Sequence, residues 1–330
     1  MDDAQDSAPY HQLGPDTVLA AVESCGYCTD GRFLALNSYE NRVYQIGLED
    51  QPPLVAKFYR PGRWNDAAIL EEHHFALELA EREIPMVAPL TDSAGATLHG
   101  YQGFRFALFP RRGGRWPELD VRDNRLWLGR FIGRIHAVGA ARPFQHRPAL
   151  DTQSFGVESV RFVLQNGLLP AHMEEAYRTL TEDLLRQIET RFEMVGTTRR
   201  LRLHGDCHPG NILWTDAGPH FVDLDDCRSG PAVQDLWMLL SGPREEMALQ
   251  LGDILEGYTQ FFDFDPLELH LIEPLRTLRM LHYAAWLARR WSDPAFPMAF
   301  PWFGLPRYWE DHVLALREQA AALDEPPLAV

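Results

Sequence analysis

The sequence is poor in lysine. Of its 31 basic residues, 30 are arginine and one, Lys57, is lysine. A solitary ammonium is either drift or a place where a compact charge on a flexible stem is needed and a planar guanidinium will not fit. Cysteine is scarce too: four in 330 residues do not make a disulfide framework. No apolar run approaches the roughly 18 residues of a membrane-crossing helix, so none is expected. The first residues, Met1-Asp2-Asp3-Ala4-Gln5-Asp6, are acidic with no apolar segment behind them, so no secretory signal is expected. Positive charge as a whole is outweighed, with 47 acidic residues giving a net charge of −16. Such a field repels a phosphate backbone or an anionic bilayer. The expectation is a cytoplasmic protein with no nucleic-acid and no membrane partner. An apolar share of 45% excludes a disordered chain, and the length suits one large or two modest domains.

No internal repeat or low-complexity tract interrupts the chain. Residues 15–24, opened by Pro15-Asp16, read as a short helix. Three strands are expected at Gly31–Leu36, Arg42–Leu48 and Leu54–Tyr59. Asn65 or Asp66 can cap a long helix that runs to about Arg82 before Pro85. Two further strands are expected near Thr97–Tyr101 and Phe104–Phe109. Pro110-Arg111-Arg112-Gly113-Gly114 is the boundary candidate, and beyond it the periodicity turns helical. The expected order is a tail at 1–14, a sheet-rich lobe at 15–109 and a larger, mainly helical lobe at 110–330. This is an α+β architecture of two lobes.

A compact non-helical island at 201–232 carries the chemistry. Leu203-His204-Gly205-Asp206-Cys207-His208-Pro209-Gly210-Asn211-Ile212-Leu213-Trp214 sets polar and Gly/Pro residues between two apolar edges. A turn and the strand Phe221-Val222 lead to Asp223-Leu224-Asp225-Asp226, so a hairpin would bring Asn211 near Asp223. Three carboxylates in four residues repel one another unless a cation or donors neutralise them. A divalent cation held by oxygens, such as Mg²⁺, is one such partner. The spacing Asp206-x-x-x-x-Asn211 matches the kinase catalytic loop, in which the Asp accepts the proton of the attacking hydroxyl and the Asn binds Mg²⁺. Asp223 would then hold the metal bridging the β- and γ-phosphates. Upstream, Leu54-Val55-Ala56-Lys57 has the setting of the phosphate-binding lysine on a kinase strand. Glu71 or Glu72 would be its ion-pair partner, and only one can face it, because adjacent helical residues point about 100° apart.

The strings Leu36–Tyr44, Lys57–Pro61, His204–Trp214, Phe221–Asp226 and Gly230–Leu240 resemble the bacterial stress response kinase A family, and the resemblance runs along residues 10–325. The catalytic island alone is shared with the wider aminoglycoside phosphotransferase and choline kinase superfamily. The resemblance implies a protein-kinase-like fold and a cytoplasmic, monomeric Ser/Thr protein kinase of the stress response, using ATP with Mg²⁺ as cofactor. It makes Asp206 the proton acceptor, Asn211 and Asp223 the Mg²⁺ ligands, and Ser38 an ATP contact. It pairs Lys57 with the α/β-phosphates, favours Glu72 over Glu71 as its orienting partner, and sets backbone near Phe106–Phe109 against the adenine. Asp235 corresponds to the helix Asp that holds the catalytic-loop backbone.

The sequence departs from ordinary protein kinases. His204-Gly205-Asp206 lacks the Arg of the usual triplet, Asp223-Leu224-Asp225 replaces Asp-Phe-Gly, no Ala-Pro-Glu follows, and the loop Asn37–Asn41 holds no glycine. A small-molecule kinase of the same fold is the alternative. A non-catalytic nucleotide-binding regulator would lack one of Lys57, Asp206, Asn211 or Asp223, and none is missing. A metallophosphohydrolase built on His204, Asp206 and His208 leaves Lys57 and Ser38 unexplained. His208 and His136 read as packing histidines rather than ligands. Cys25-x-x-Cys28 lacks the further ligands of a zinc site, and Cys207, next to Asp206, is a candidate for oxidation-sensitive activity. The aromatic loop Trp291–Trp309, with Arg289 and Arg290 beside it, reads either as an acceptor groove or as a packed lid.

Overall fold

The computed structural model describes residues 9–196 and 198–330. Residues 1–8 of the expected tail lie outside the described residues. Along the chain run α1 (Pro15–Glu23), β1 (Thr29–Ala35), β2 (Arg42–Leu48), β3 (Gln51–Phe58), α2 (Asp66–Glu81), β4 (His99–Tyr101) and β5 (Phe104–Pro110). Then come α3 (Arg122–Gly139), α4 (Glu158–Gln165), α5 (Glu174–Val195), β6 (Leu201–Leu203), β7 (Ile212–Thr215), β8 (Gly218–Phe221) and β9 (Arg228–Gly230). The last elements are α6 (Gln234–Trp237), α7 (Arg244–Tyr258), α8 (Ile272–Arg289), α9 (Ala295–Ala299) and α10 (Pro306–Asp324). A sheet-rich N-terminal part followed by a mostly helical one is the α+β order read from the sequence.

The elements form two compact units. The first holds residues up to Pro117 together with Gln145–Arg147 and Gly210–Asp226. Its antiparallel sheet has the order β1-β2-β3-β5-β4. Strand side chains alternate between faces. In β3, Leu54, Ala56 and Phe58 go into a core shared with Val18 and Val22 of α1. Val55 and Lys57 therefore belong to the opposite face. Helix α2 starts where Asn65 caps it, its side chain accepting a hydrogen bond from Ala68 N–H at 2.9 Å. Its buried positions Ile69, Glu72, Phe75, Ala76 and Leu79 fall at helical spacing. The β7–β8 hairpin is tied to this unit through Phe221, whose N–H donates to Pro85 O (2.8 Å) and whose carbonyl accepts from Val87 N–H (2.9 Å).

In the second unit α3 crosses α7 at close range. A methyl group on Gly129 or Gly133 of α3 would collide with the carbonyls of Ile254 or Tyr258 on α7, so glycine sets the approach. The short β6–β9 ladder pairs Leu203 with Arg228 and leads into the island. Two features were not anticipated. A π-turn at Gln153–Val157 runs into α4, which is too short and too closely flanked by glycine for periodicity to stand out. The aromatic segment expected to be a loop contains α9; it buries Phe296, Phe300, Phe303 and Trp309 and leaves Met298, Trp302 and Leu305 exposed. Among the described residues no helix is long and apolar enough to cross a membrane.

Candidate active site

Lys57 lies near the end of β3, paired on one side with Val43 of β2 and on the other with Ala107 of β5. This central position buries it to 6% exposure. Its Nζ lies 3.2 Å from Glu72 Oε1, 3.0 Å from Asp223 Oδ1 and 3.2 Å from Asp225 Oδ1. Burial alone would push the amine down, but the charges of Asp223, Asp225 and Glu72 outweigh it and hold the pKa well above its ordinary value. The amine therefore stays charged.

Glu71 and Glu72, adjacent on α2, do different work. Glu72 takes Lys57 on one oxygen and the Arg147 guanidinium on the other. Burial raises its carboxyl against the pull of those two cations. Glu71 collects three backbone N–H groups, from Gln145 (2.5 Å), His146 (2.8 Å) and Arg147 (2.7 Å). It thereby delivers Arg147, which also donates to Ala68 O (2.9 Å) and Asp225 O (2.6 Å).

The three-carboxylate cluster finds its neutralising cations within the protein. Arg63 bonds Asp225, and its second terminal nitrogen donates to Asp226 Oδ1 at 2.9 Å. Burial favours a raised Asp225 carboxyl, but Arg63 and Lys57 hold it below the usual range. With Asp225 and Asp226 engaged, Asp223 is the one left half-exposed, its side chain 52% accessible. Its φ of +61° is a left-handed conformation that costs on the order of 1 kcal/mol outside glycine.

A cavity of about 330 Å³ opens beside these residues. Val43, Val55, Val87, Phe109, Leu213 and Val222 supply apolar wall, and Ser38, Lys57, Asn211 and Asp223 supply polar groups. A mostly apolar cavity with a few converging polar atoms is the usual form of a small-molecule site. Asn211 and Asp223 meet there because the hairpin closes over them, Val222 N–H donating to Asn211 O at 3.0 Å. Ser38 Oγ donates to Asn41 O (3.1 Å), which folds the glycine-free loop back on itself. Buried His73 backs the cavity, bonded to Tyr59 Oη at 2.6 Å and Thr97 Oγ1 at 2.8 Å. Burial and the nearby Lys57 charge push it down to about 3, so it remains neutral. Among the described residues no cluster of three or more His, Cys, Asp or Glu is arranged to hold a metal. Mg²⁺ in phosphate chemistry needs only one or two protein oxygens, and Asn211 with Asp223 fits that donor set.

In the second unit, Asp206 follows Gly205, whose φ of +84° needs glycine. Asp235, on α6, accepts from the N–H groups of His204 and Gly205, both at 2.8 Å. His136 Nε2 lies 3.1 Å from the same carboxylate, and its Nδ1 lies 2.8 Å from Tyr258 Oη. A carboxylate only accepts, so Nε2 carries a proton and donates it to Asp235. The close crossing of α3 and α7 thus seats Tyr258, and through it the loop backbone. Asp206 lies 3.5 Å from His208 Nε2 and 2.6 Å from Arg279 Nη1. Burial opposes the shift, but His208 and Arg279 hold its carboxyl well below the usual range. Cys207 is buried, and burial with the charges of Asp235 and Asp206 pushes its thiol well above its ordinary value. A thiol held protonated is a poor nucleophile toward peroxide, which argues against the oxidation-sensitive role expected for it.

Lys57, Glu72 and Asp223 thus converge, and Ser38 and Asn211 line the same cavity. Sequence reasoning missed Arg63, Arg147 and Arg279. In a chain with 30 arginines none of them stands out by type, and Arg147 lies 75 positions from the Glu72 it contacts.

The phosphotransferase enzyme family model matches residues 32–270. Stress response kinase A of Escherichia coli K12 is 47% identical over 319 residues, covering 97% of this chain and 96% of that protein. The serine/threonine protein kinase RdoA of Salmonella typhimurium is 46% identical over the same shares. Among solved structures, the amicoumacin kinase hAmiN in complex with AMP-PNP, Ca²⁺ and Ami superposes with a TM-score of 0.73 at 17% identity, covering 94% of each chain. A choline kinase from Cryptosporidium parvum gives 0.61 at 11% identity, covering 92% of this chain and 95% of that one. The fold is therefore the protein-kinase-like fold of the aminoglycoside and choline kinases. With a family model over most of its length and near-full-length relatives at almost half identity, this chain belongs to the phosphotransferase enzyme family, among the stress response kinase A proteins.

Proposed function

We propose that this protein transfers the γ-phosphate of ATP, taken as its Mg²⁺ complex, to Ser/Thr hydroxyls of proteins in a stress response. The observation that carries the reading is the buried, charged Lys57 held between Glu72 and Asp223 on the wall of the 330 Å³ cavity. The acceptor class rests on the relatives, which carry the names stress response kinase A and serine/threonine protein kinase.

Each side chain has a role that its surroundings support. The apolar wall with Phe109 accepts the adenine, and Ser38 meets the phosphates. Lys57 pairs with the α/β-phosphates, and Glu72 and Asp225 keep its amine aimed. Asn211 and Asp223 would hold Mg²⁺, which when bound neutralises charge developing on the phosphates. Asp206 accepts the proton. The acceptor oxygen bonds to the γ-phosphorus as its bond to the β–γ bridging oxygen breaks. ADP leaves with that electron pair and the hydroxyl proton passes to Asp206. Catalysis is then mostly positioning and charge neutralisation. Asp235, through His204 and Gly205 N–H, fixes the loop that presents Asp206.

A second reading, a small-molecule kinase, is favoured by the solved structures, whose names give amicoumacin, spectinomycin and choline as the chemistry of the fold. Purified protein with labelled ATP, offered casein or myelin basic protein beside amino alcohols and aminoglycosides, separates the two. Label on protein is expected; label on the small molecules alone overturns the protein-acceptor reading. In the same assay Asp206→Asn is expected to lower turnover by about 10²–10⁴-fold while an ATP analogue still binds. Undiminished turnover in that variant would refute the role of Asp206.

A further inference from the structure

Arg279 comes from α8 and sets its guanidinium against the proton-accepting carboxylate, at 2.6 Å from Asp206 Oδ1. The other carboxylate oxygen lies 3.5 Å from His208 Nε2. A carboxylate held against a fixed cation is a weak base, because the adjacent positive charge favours its ionised form. For Asp206 to take a hydroxyl proton, Arg279 must be drawn off. The neighbouring cations of α8 are committed elsewhere. Arg276 lies 3.2 Å from Glu273 and stacks over Trp237, and Arg289 and Arg290 lie over Phe162 and Trp286. Arg279 keeps 40% of its side chain accessible and so can reach an incoming group. One turn on, Tyr283 is 39% exposed and stacks on Trp286, extending an open aromatic surface along the helix.

We infer that Arg279 selects the acceptor: it receives a carboxylate carried next to the hydroxyl to be phosphorylated, and in moving to that carboxylate it frees Asp206 to act. The inference rests on the protein-kinase reading and sharpens it, since the acceptor becomes a Ser or Thr flanked by acidic residues. It also runs against cationic acceptors. An amino alcohol or aminoglycoside would bring its ammonium up to Arg279, where like charges repel. The net charge of −16 makes the point sharper, because the chain places a cation at its reacting carboxylate although it repels anions as a whole.

The test uses three serine peptides identical except for a Glu, Gln or Lys beside the serine, with kcat/KM measured using labelled ATP. The wild type, Arg279→Gln, Arg279→Glu and Arg279→Lys are compared as ratios between peptides, so that a general loss of activity cancels. The wild type is expected to prefer the Glu over the Gln peptide by about tenfold, the worth of one charge-assisted hydrogen bond. Arg279→Gln flattens the ratio, Arg279→Glu turns the preference toward Lys, and Arg279→Lys keeps the order. Unchanged ratios in all four proteins, or an equal loss on all three peptides, overturn the inference. Peptides phosphorylated without regard to the flanking charge sink it and leave the kinase reading intact. Phosphorylation of amino alcohols in place of peptides sinks both.

Discussion

Replacing Glu72 by Gln keeps its shape and removes its charge, which isolates what the buried carboxylate does for Lys57. At 3.2 Å, a pair of unit charges attracts by about 5 kcal/mol at an effective dielectric of roughly 20. Most of that is not lost. Removing Glu72 also removes its own burial penalty of several kcal/mol. Lys57 retains Asp225 at 3.2 Å and Asp223 at 3.0 Å, and the Gln oxygen still accepts one hydrogen bond. The net loss of amine positioning should be about 1.5–3 kcal/mol, the range for hydrogen bonds to charged groups. That predicts a fall in kcat/KM of roughly 10- to 100-fold. Arg147 meanwhile loses the Glu72 carboxylate and keeps the carbonyls of Ala68 and Asp225, so melting should drop by a few degrees. Steady-state kinetics, binding of an ATP analogue and thermal melting read the three effects separately. A double-mutant cycle with Arg147→Gln should show coupling of at least about 1 kcal/mol in stability, because the two side chains share one buried bond. Wild-type kcat/KM in Glu72→Gln would refute the reasoning.

Three more outcomes test the packing and electrostatics around the site. Gly133→Ala should cost about 1–3 kcal/mol by pushing α7 and Tyr258 away, whereas Gly252→Ala, with open space at its Cβ on the same helix α7, should be neutral or stabilising; equal melting shifts would contradict the crossing argument. Burial pushes the Glu268 carboxyl up to about 7 although it accepts from Val233 N–H, so ionisation costs the folded state up to about 3 kcal/mol as pH rises from near 4.5 through 7. Glu268→Gln should therefore gain melting temperature over the wild type as pH rises, and a difference that stays flat across that window would disprove the assignment. Exposed Cys28 should be alkylated by iodoacetamide long before buried Cys207, as peptide mass mapping would read; prompt labelling of Cys207 would contradict its burial.

Local pattern determined a good deal by itself. The apolar strand Leu54–Ala56 ending in Lys57, a helix cap at Asn65 or Asp66 and the spacing of Asp206 and Asn211 are short-range features, and each was readable because its physics acts within a few residues. So was the singular Lys57, since one ammonium among 30 guanidiniums is conspicuous. The choice between Glu71 and Glu72 was different. Both sit on α2, and which one meets Lys57 depends on the rotation of the helix against the sheet, set by the burial of Ile69, Phe75, Ala76 and Leu79. Tertiary structure alone also decided that Arg63 and Lys57 neutralise the Asp223–Asp226 cluster, that Arg147 meets Glu72 and that Arg279 lies against Asp206, because ion pairs between distant segments leave no mark on local periodicity. Backbone and burial preferences are written along the chain, whereas the partner of a buried charge is known only once the chain has closed around it.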